Sequence, residues 1–304
     1  MKHWIQASRL RTLPLSLSGI VLGSFYALHA IQTHRVSESK FNWTIFILAI
    51  LTTVGFQVLS NFANDYGDGV KGTDANRVGE KRLVASGEIT KEQMKKAVII
   101  TAFLSLISAF ALIYVAFKDS NLGYSLFFLV LGIIAIVSAI KYTVGDTAYG
   151  YKGLGDIFVF LFFGWVSVLG VYFLFTKTFT WELLLPATAI GFLSAGVLNL
   201  NNMRDEISDR ASNKNTLVVQ MGGNLAKKYH YFLIGGAMLL LLAFAVIAHF
   251  KIEQYAFLVA YFPLLNHLKT VYRCQEHQLL DPQLKTLALS TFLVSIILAL
   301  TLIF

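Results

Sequence analysis

Apolar runs long enough to cross a bilayer recur along this chain, separated by polar breaks that are mostly short. A helix needs about 17–25 such residues to span the hydrocarbon. Runs of that kind fall near 13–33, 43–62, 97–117, 122–140, 155–176, 182–201, 231–250, 254–272 and 285–304. The pattern predicts nine transmembrane helices, the eighth blunted at its end by His267 and Lys269. Strands of a β-barrel alternate over short segments, whereas these runs are continuous. The expected fold class is therefore an all-α integral membrane protein, with 1–304 as a single transmembrane domain. The first run is long, follows a basic N-terminus and lacks a small-residue cleavage site. It reads as a retained helix rather than a signal peptide.

Composition agrees. The chain is 56% hydrophobic and 14% charged, with a mean hydropathy of +0.64. A soluble domain carries about a quarter of its residues charged. Charge also sets an orientation. With nine helices and a cytoplasmic N-terminus, twenty of the 25 Lys and Arg fall on inside segments. Only Arg35, Lys40, Lys118, Lys177 and Lys251 fall outside. That asymmetry follows the positive-inside rule. The net charge of +8 is thus mostly topology, and no aromatic-basic motif accompanies it, so no nucleic-acid partner is expected. The single Cys274 excludes disulfides, iron–sulfur clusters and multi-cysteine zinc sites within the chain.

Two cytoplasmic insertions are long, about 63–96 and about 202–230, after the second and sixth helices. Both begin with Asn running into carboxylates, "SNFANDYGD" and "LNLNNMRDEISD". Asn61 and Asp65 stand 140 residues before Asn201 and Asp205. Each insertion then carries a Leu-Val pair, a Gly and a Lys pair, a weak internal repeat. Asn61, Asn64, Asp65 and Asp68 fall at i, i+3, i+4 and i+7, one helical stripe. Asn202, Asp205 and Asp209 form a second. Like charges so spaced repel, and acids at a helix C-terminus oppose its dipole. Both costs fall if a cation binds between them. Mg²⁺ takes oxygen ligands and is commonly held by one or two carboxylates plus substrate phosphates. Arg11, Lys81, Arg82, Arg204 and Lys214 are near enough in sequence to neutralise a diphosphate. The seven His residues are scattered, with none in the Asp segments.

At these residues the chain resembles the UbiA-type superfamily of intramembrane prenyltransferases. That superfamily carries Asn-Asp-x-x-Asp-x-x-x-Asp after helix two and Asp-x-x-x-Asp after helix six of a nine-helix bundle. Here the motifs read "NDYGDGVKGTD" and "DEISD". Asp74 lies six residues after Asp68 rather than four. That departure, with "DGVKGTD", "YGYKGLGDIFVFLFFG", "LNNMRD" and "KNTLVVQMG", is similar to the branch that prenylates 1,4-dihydroxy-2-naphthoate in menaquinone synthesis. The resemblance implies Mg²⁺ held by Asp65, Asp68, Asp74, Asp205 and Asp209, of which Asp65, Asp68, Asp205 and Asp209 are catalytic. It implies a diphosphate site of Asn64, Arg11, Arg82, Lys152, Arg204 and Lys214, and an acceptor pocket of Tyr142, Tyr149, Tyr151 and Asn202. The partners it implies are a polyprenyl diphosphate, the naphthoate and the lipid bilayer. The products are demethylmenaquinol, CO₂ and diphosphate. The expected place is a bacterial inner membrane, with the site facing the cytoplasm. Another acceptor, such as 4-hydroxybenzoate, stays open within the superfamily.

Two other functional classes fit the sequence less well. A secondary transporter places ionisable groups near the bilayer midplane, but these spans are nearly free of charge at mid-depth. A CDP-alcohol phosphotransferase needs Asp-Gly-x-x-Ala-Arg, and after Asp68-Gly69 come Val-Lys-Gly.

Overall fold

The computed structural model describes residues 2–36, 40–73 and 81–303. A short helix α1 (Lys2–Ser8) turns at Arg9 into α2 (Leu13–Gln32). Then follow α3 (Trp43–Lys71), α4 (Lys91–Phe117) and α5 (Leu122–Lys141). The next span is composite: α6 (Gly155–Val159), a π-helical stretch Phe160–Gly170 and α7 (Val171–Thr176). The chain continues through α8 (Leu184–Ala211), α9 (Leu217–Met221), α10 (Gly223–Ile247), α11 (Tyr261–Arg273) and α12 (Asp281–Ile303).

Among the described residues eight helices are long and apolar enough to cross a bilayer, against nine in the hydropathy pattern. The difference lies at 254–272. Residues Ile252–Ala260 wind as a 3₁₀ helix before α11 begins. Pro263 sits in the first turn of α11. It lacks an N–H, and its ring clashes with the carbonyl four residues back, so a regular α-helix does not extend N-terminally through it. The helix beyond it is short and carries His267, Lys269 and Arg273.

The acids fall on helix rather than loop. α3 continues nine residues past the apolar run that ends at 62, and α8 continues ten past the run that ends at 201. α3 stops where Gly72 takes the left-handed conformation, φ 72°, and its N–H donates to the Asp68 carbonyl, a C-terminal cap that glycine provides without strain.

The core lies where α2, α8, α10 and α12 meet, around Leu22, Leu193, Ile234, Leu241 and Leu298. α5 lies at the rim, with Ser138 its only buried residue. The π-helical stretch is pressed onto α8: a Cβ at Gly164 would stand 2.7 Å from the Gly191 Cα. Small residues permit such close approach between helices in a membrane.

Candidate active site

One stripe of α3 builds the site. Ala49, Thr52, Phe56, Ser60, Asn64 and Asp68 fall three or four residues apart, so they share a helix face, and all line one cavity of about 350 Å³. Ala49 and Asp68 are 19 residues apart, about 28 Å of helix at 1.5 Å per residue. The cavity is two-natured along that length. One end carries Arg9, Asn64, Asp68, Arg82, Asn201 and Lys214. The remainder is largely apolar, with Ala109, Leu131, Gly132, Phe162 and Val166.

At the polar end Asp68 is only 1% exposed. Its Oδ1 accepts from the Tyr151 hydroxyl at 2.8 Å, and Arg82 stands 3.6 Å from its Oδ2. The Tyr151 ring lies under the Lys71 ammonium at 3.8 Å and the Lys214 ammonium at 5.6 Å. Lys214 in turn meets Asp209 at 3.5 Å, and its backbone N–H donates to the Asp209 carbonyl at 2.8 Å. Asp68, Tyr151, Lys214 and Asp209 thus join the C-terminal ends of α3 and α8.

Asp205 is held by its neighbour. Arg204 donates from Nε and from a terminal nitrogen to its two oxygens, both at 2.7 Å. The same guanidinium reaches Asp281 at 2.5 Å and Asn201 at 2.8 Å. Arg204 lines an adjoining cavity of about 180 Å³ together with Arg9, Arg11, Arg82, Asn201 and Lys285.

The other members of the α3 stripe divide. Asn64 accepts from Thr143 at 3.3 Å. Asn61 donates to the Ser8 carbonyl at 2.8 Å and so holds the corner between α1 and α2. Asp65, 1% exposed, accepts the backbone N–H of Leu83 at 3.1 Å and of Val84 at 3.2 Å, one on each oxygen. The two glycines of "YGDGV" face these neighbours. A Cβ at Gly67 would lie 2.8 Å from the Thr143 backbone, and one at Gly69 would lie 2.5 Å from a Val84 methyl.

The sequence-predicted residues therefore separate. Asn64, Asp68, Arg82, Lys214, Tyr142 and Tyr149 line the main cavity. Arg11 and Arg204 line the adjoining one. Tyr151 and Asp209 stand behind the polar end as described. Asp65, Asp205 and Asn202 are buried but lie off both cavity walls, and Lys152 is exposed and off them too. Asp74 lies outside the described residues. Tyr149 donates to the Ser138 carbonyl at 2.9 Å and stacks on Phe158 at 4.0 Å. Burial, reinforced by Asp156 and Tyr149, holds the Tyr142 phenol well above its ordinary value, so it stays protonated and able to donate.

Three features were missed in the sequence. Arg9 lines both cavities and takes a left-handed backbone, φ 48°, which is uncommon outside glycine. Asn201, not Asn202, faces the cavity; the 140-residue offset from Asn61 was the signal for it. His230 and His267, 37 residues apart, meet at 2.8 Å, and only the packing of α10 on α11 brings them together.

Among the described residues no three His, Cys, Asp or Glu side chains converge as for a bound ion. The donor chemistry still fits Mg²⁺. The acids at the ends of α3 and α8 are hard oxygen ligands, and their counterparts Arg82 and Lys214 are bases suited to phosphate.

A model of the UbiA prenyltransferase family matches residues 35–296. The chain is 42% identical over 283 residues to the 1,4-dihydroxy-2-naphthoate octaprenyltransferase of Escherichia coli (strain K12), covering 93% of this chain and 89% of that one. It is 40% identical over 304 residues to the protein of the same name from Haemophilus influenzae, covering 100% and 96%. Among solved structures it superposes on a UbiA homolog from Archaeoglobus fulgidus bound to GPP and Mg²⁺, with a TM-score of 0.62 and 15% identity, over 97% of this chain and 99% of that one. The last likeness shows the fold.

Proposed function

The chain belongs to the UbiA prenyltransferase family, and from that premise we propose that it transfers a polyprenyl group from a polyprenyl diphosphate to 1,4-dihydroxy-2-naphthoate, with Mg²⁺ as cofactor. The ring carboxylate leaves as CO₂, and the products are demethylmenaquinol and diphosphate. The observation that carries the prenyl-transfer chemistry is the cavity itself, charged at one end and largely apolar over the rest. The acceptor follows from relatives 40–42% identical over nearly their whole length.

In this reading Asp68, Asp205 and Asp209 would hold Mg²⁺, with Asp74 in the same motif. Bound there, Mg²⁺ supplies a Lewis acid for the charge that develops on the leaving diphosphate. Arg82 and Lys214 add fixed positive charge at the same end, and Arg9 and Asn201 border the space between the two cavities. The allylic C–O bond ionises, and its electron pair leaves with the diphosphate. The largely apolar walls keep water from the cation, and the aromatic rings of Tyr142, Tyr149 and Phe162 are among the lining side chains available to shield it. The acceptor carbon that bears the carboxylate attacks, and loss of CO₂ restores the aromatic ring. The isoprenoid tail lies along the apolar length, where each buried CH₂ gains about 0.8 kcal/mol.

The chain sits in a bacterial inner membrane with the polar end of the cavity toward the cytoplasm. The Lys/Arg asymmetry supports that orientation. Purified protein, incubated with Mg²⁺, a polyprenyl diphosphate and either 1,4-dihydroxy-2-naphthoate or 4-hydroxybenzoate, gives the test by mass spectrometry. The expected product is a prenylated, decarboxylated naphthoquinol that disappears with EDTA. Prenylated hydroxybenzoate alone would overturn the acceptor and keep the chemistry. No product with either ring, in folded protein, would overturn both.

A further inference from the structure

Asp65 and Asp68, three residues apart in one motif, do different work. The cavity stripe of α3 passes through Asn64 and Asp68 and leaves Asp65 to one side. Each Asp65 oxygen takes a backbone N–H, from Leu83 and from Val84. We infer that Asp65 is a positioning residue that pins the segment Arg82–Val84 so that Arg82 stays on the cavity wall, and that it is not a metal ligand. The inference rests on the prenyl-transfer reading for the role of Arg82, though not for the contact itself.

The nature of the partners separates Asp65 from the other acids. Asp68, Asp205 and Asp209 are met by the side chains of Tyr151, Arg82, Arg204 and Lys214, which swing about several bonds. Backbone amides do not swing alone. To free Asp65 for an ion, the whole 82–84 segment must lift, and that segment is wedged. Val84 lies against the bare Cα of Gly69. Leu83 is fully buried in an apolar cluster with Leu59, Ala63 and Met94. The Leu83 carbonyl also accepts from the Ile89 N–H at 3.1 Å, which closes the turn. At its exposed edge Glu88 meets both Lys81 and His3, the latter at 2.6 Å, and ties the segment to α1. With residues 83 and 84 held, the adjoining Arg82 reaches Asp68 and lines both cavities.

The test uses the full chain purified in detergent, comparing Asp65→Asn with Asp68→Asn. Asn keeps the shape and one accepting oxygen at position 65 but removes the negative charge that a carboxylate gives a bound cation. Hydrogen exchange, read by mass spectrometry without added metal or substrate, is the first measurement. Peptides covering 82–86 are expected to exchange roughly ten-fold faster in Asp65→Asn, the loss of one charged hydrogen bond, and at the wild-type rate in Asp68→Asn. The second is Mn²⁺ binding in the presence of inorganic diphosphate, followed by electron paramagnetic resonance. Asp68→Asn is expected to weaken it roughly ten-fold or more, and Asp65→Asn by less than about two-fold. The third is a double-mutant cycle on the KM for polyprenyl diphosphate. Asp65→Asn raises KM by itself but adds little to Arg82→Ala, because the first acts through the second. Equal loss of Mn²⁺ in both Asn variants, unchanged exchange at 82–86, or fully additive KM changes would each overturn the assignment. If no acceptor is prenylated, the prenyl-transfer reading falls, and the exchange rates still decide what Asp65 holds.

Discussion

Asp68 is a buried carboxylate with a phenol on one oxygen and a guanidinium beside the other. Removing either neighbour leaves that buried carboxylate with one partner fewer, which is destabilising, and each neighbour also faces another part of the site. Asp68→Asn and Asp209→Asn are therefore expected to lower the prenyl-transfer rate by roughly 100-fold or more, the scale of losing one preorganised electrostatic contact. Product assays at saturating donor, with thermal unfolding as the control for folding, check this. Gly69 carries a different demand. Its Cα touches Val84 so closely that a side chain has nowhere to go. Gly69→Val is expected to destabilise by about 1–3 kcal/mol, as overpacking does, and to lower activity by displacing Arg82. Thermal unfolding in detergent and the same product assay separate those effects.

At the scale of elements, the composite span from α6 to α7 stands out. A π-helical stretch is rare and tends to appear near functional sites. Here it turns Phe162, Phe163, Val166 and Ser167 onto one cavity while Gly164 stays against α8. Nothing in the hydropathy of 155–176 distinguishes it from an ordinary transmembrane helix. The contact at Gly164 sets the distance between this span and the helix that bears Asp205 and Asp209. Gly164→Leu is expected to separate them and to cost about 1–3 kcal/mol, with reduced product yield. Thermal unfolding beside a Gly164→Ala control, in which the added group is smallest, measures the grading. The two long helices α3 and α8 show why the acid insertions read only in part as helix. Their apolar runs end at the membrane boundary, and their helical hydrogen bonding continues beyond it.

For the whole molecule, one face gathers the chemistry. The C-terminal ends of α3 and α8, the corner of α1 and α2, and the start of α12 all reach it, the last through the Arg204–Asp281 pair. Cys274, half-buried between α11 and α12, packs with the cluster of Leu200, Met203 and Val218 beside the C-terminal part of α8 and is the chain's one thiol. With that face toward the cytoplasm, a membrane-impermeant maleimide is expected to label Cys274 in inverted vesicles and not in intact cells. Labelling from the outside would reverse the orientation. The lipid-facing side is read as plainly: α5 exposes Phe127, Val130, Ile133, Ile134 and Val137, as a helix on the rim of a membrane bundle does.

The sequence by itself determined the class of molecule and the place of its chemistry. A bilayer demands long apolar helices, so hydropathy alone marked eight of the spans, and acids in such a chain stand out against it. It also determined the pairing of the two Asn/Asp segments, through spacing that is local to each helix. Only the tertiary structure decided what each acid meets. Asp65 and Asp68 stand only about 60° apart around α3, on one stripe, yet one meets the 82–84 backbone and the other Tyr151 and the cavity. That choice depends on where a distant loop packs, as do the facing of Asn201 rather than Asn202, the place of Arg9 and the meeting of His230 with His267. Helical periodicity fixes which residues share a face, and packing alone fixes what that face meets.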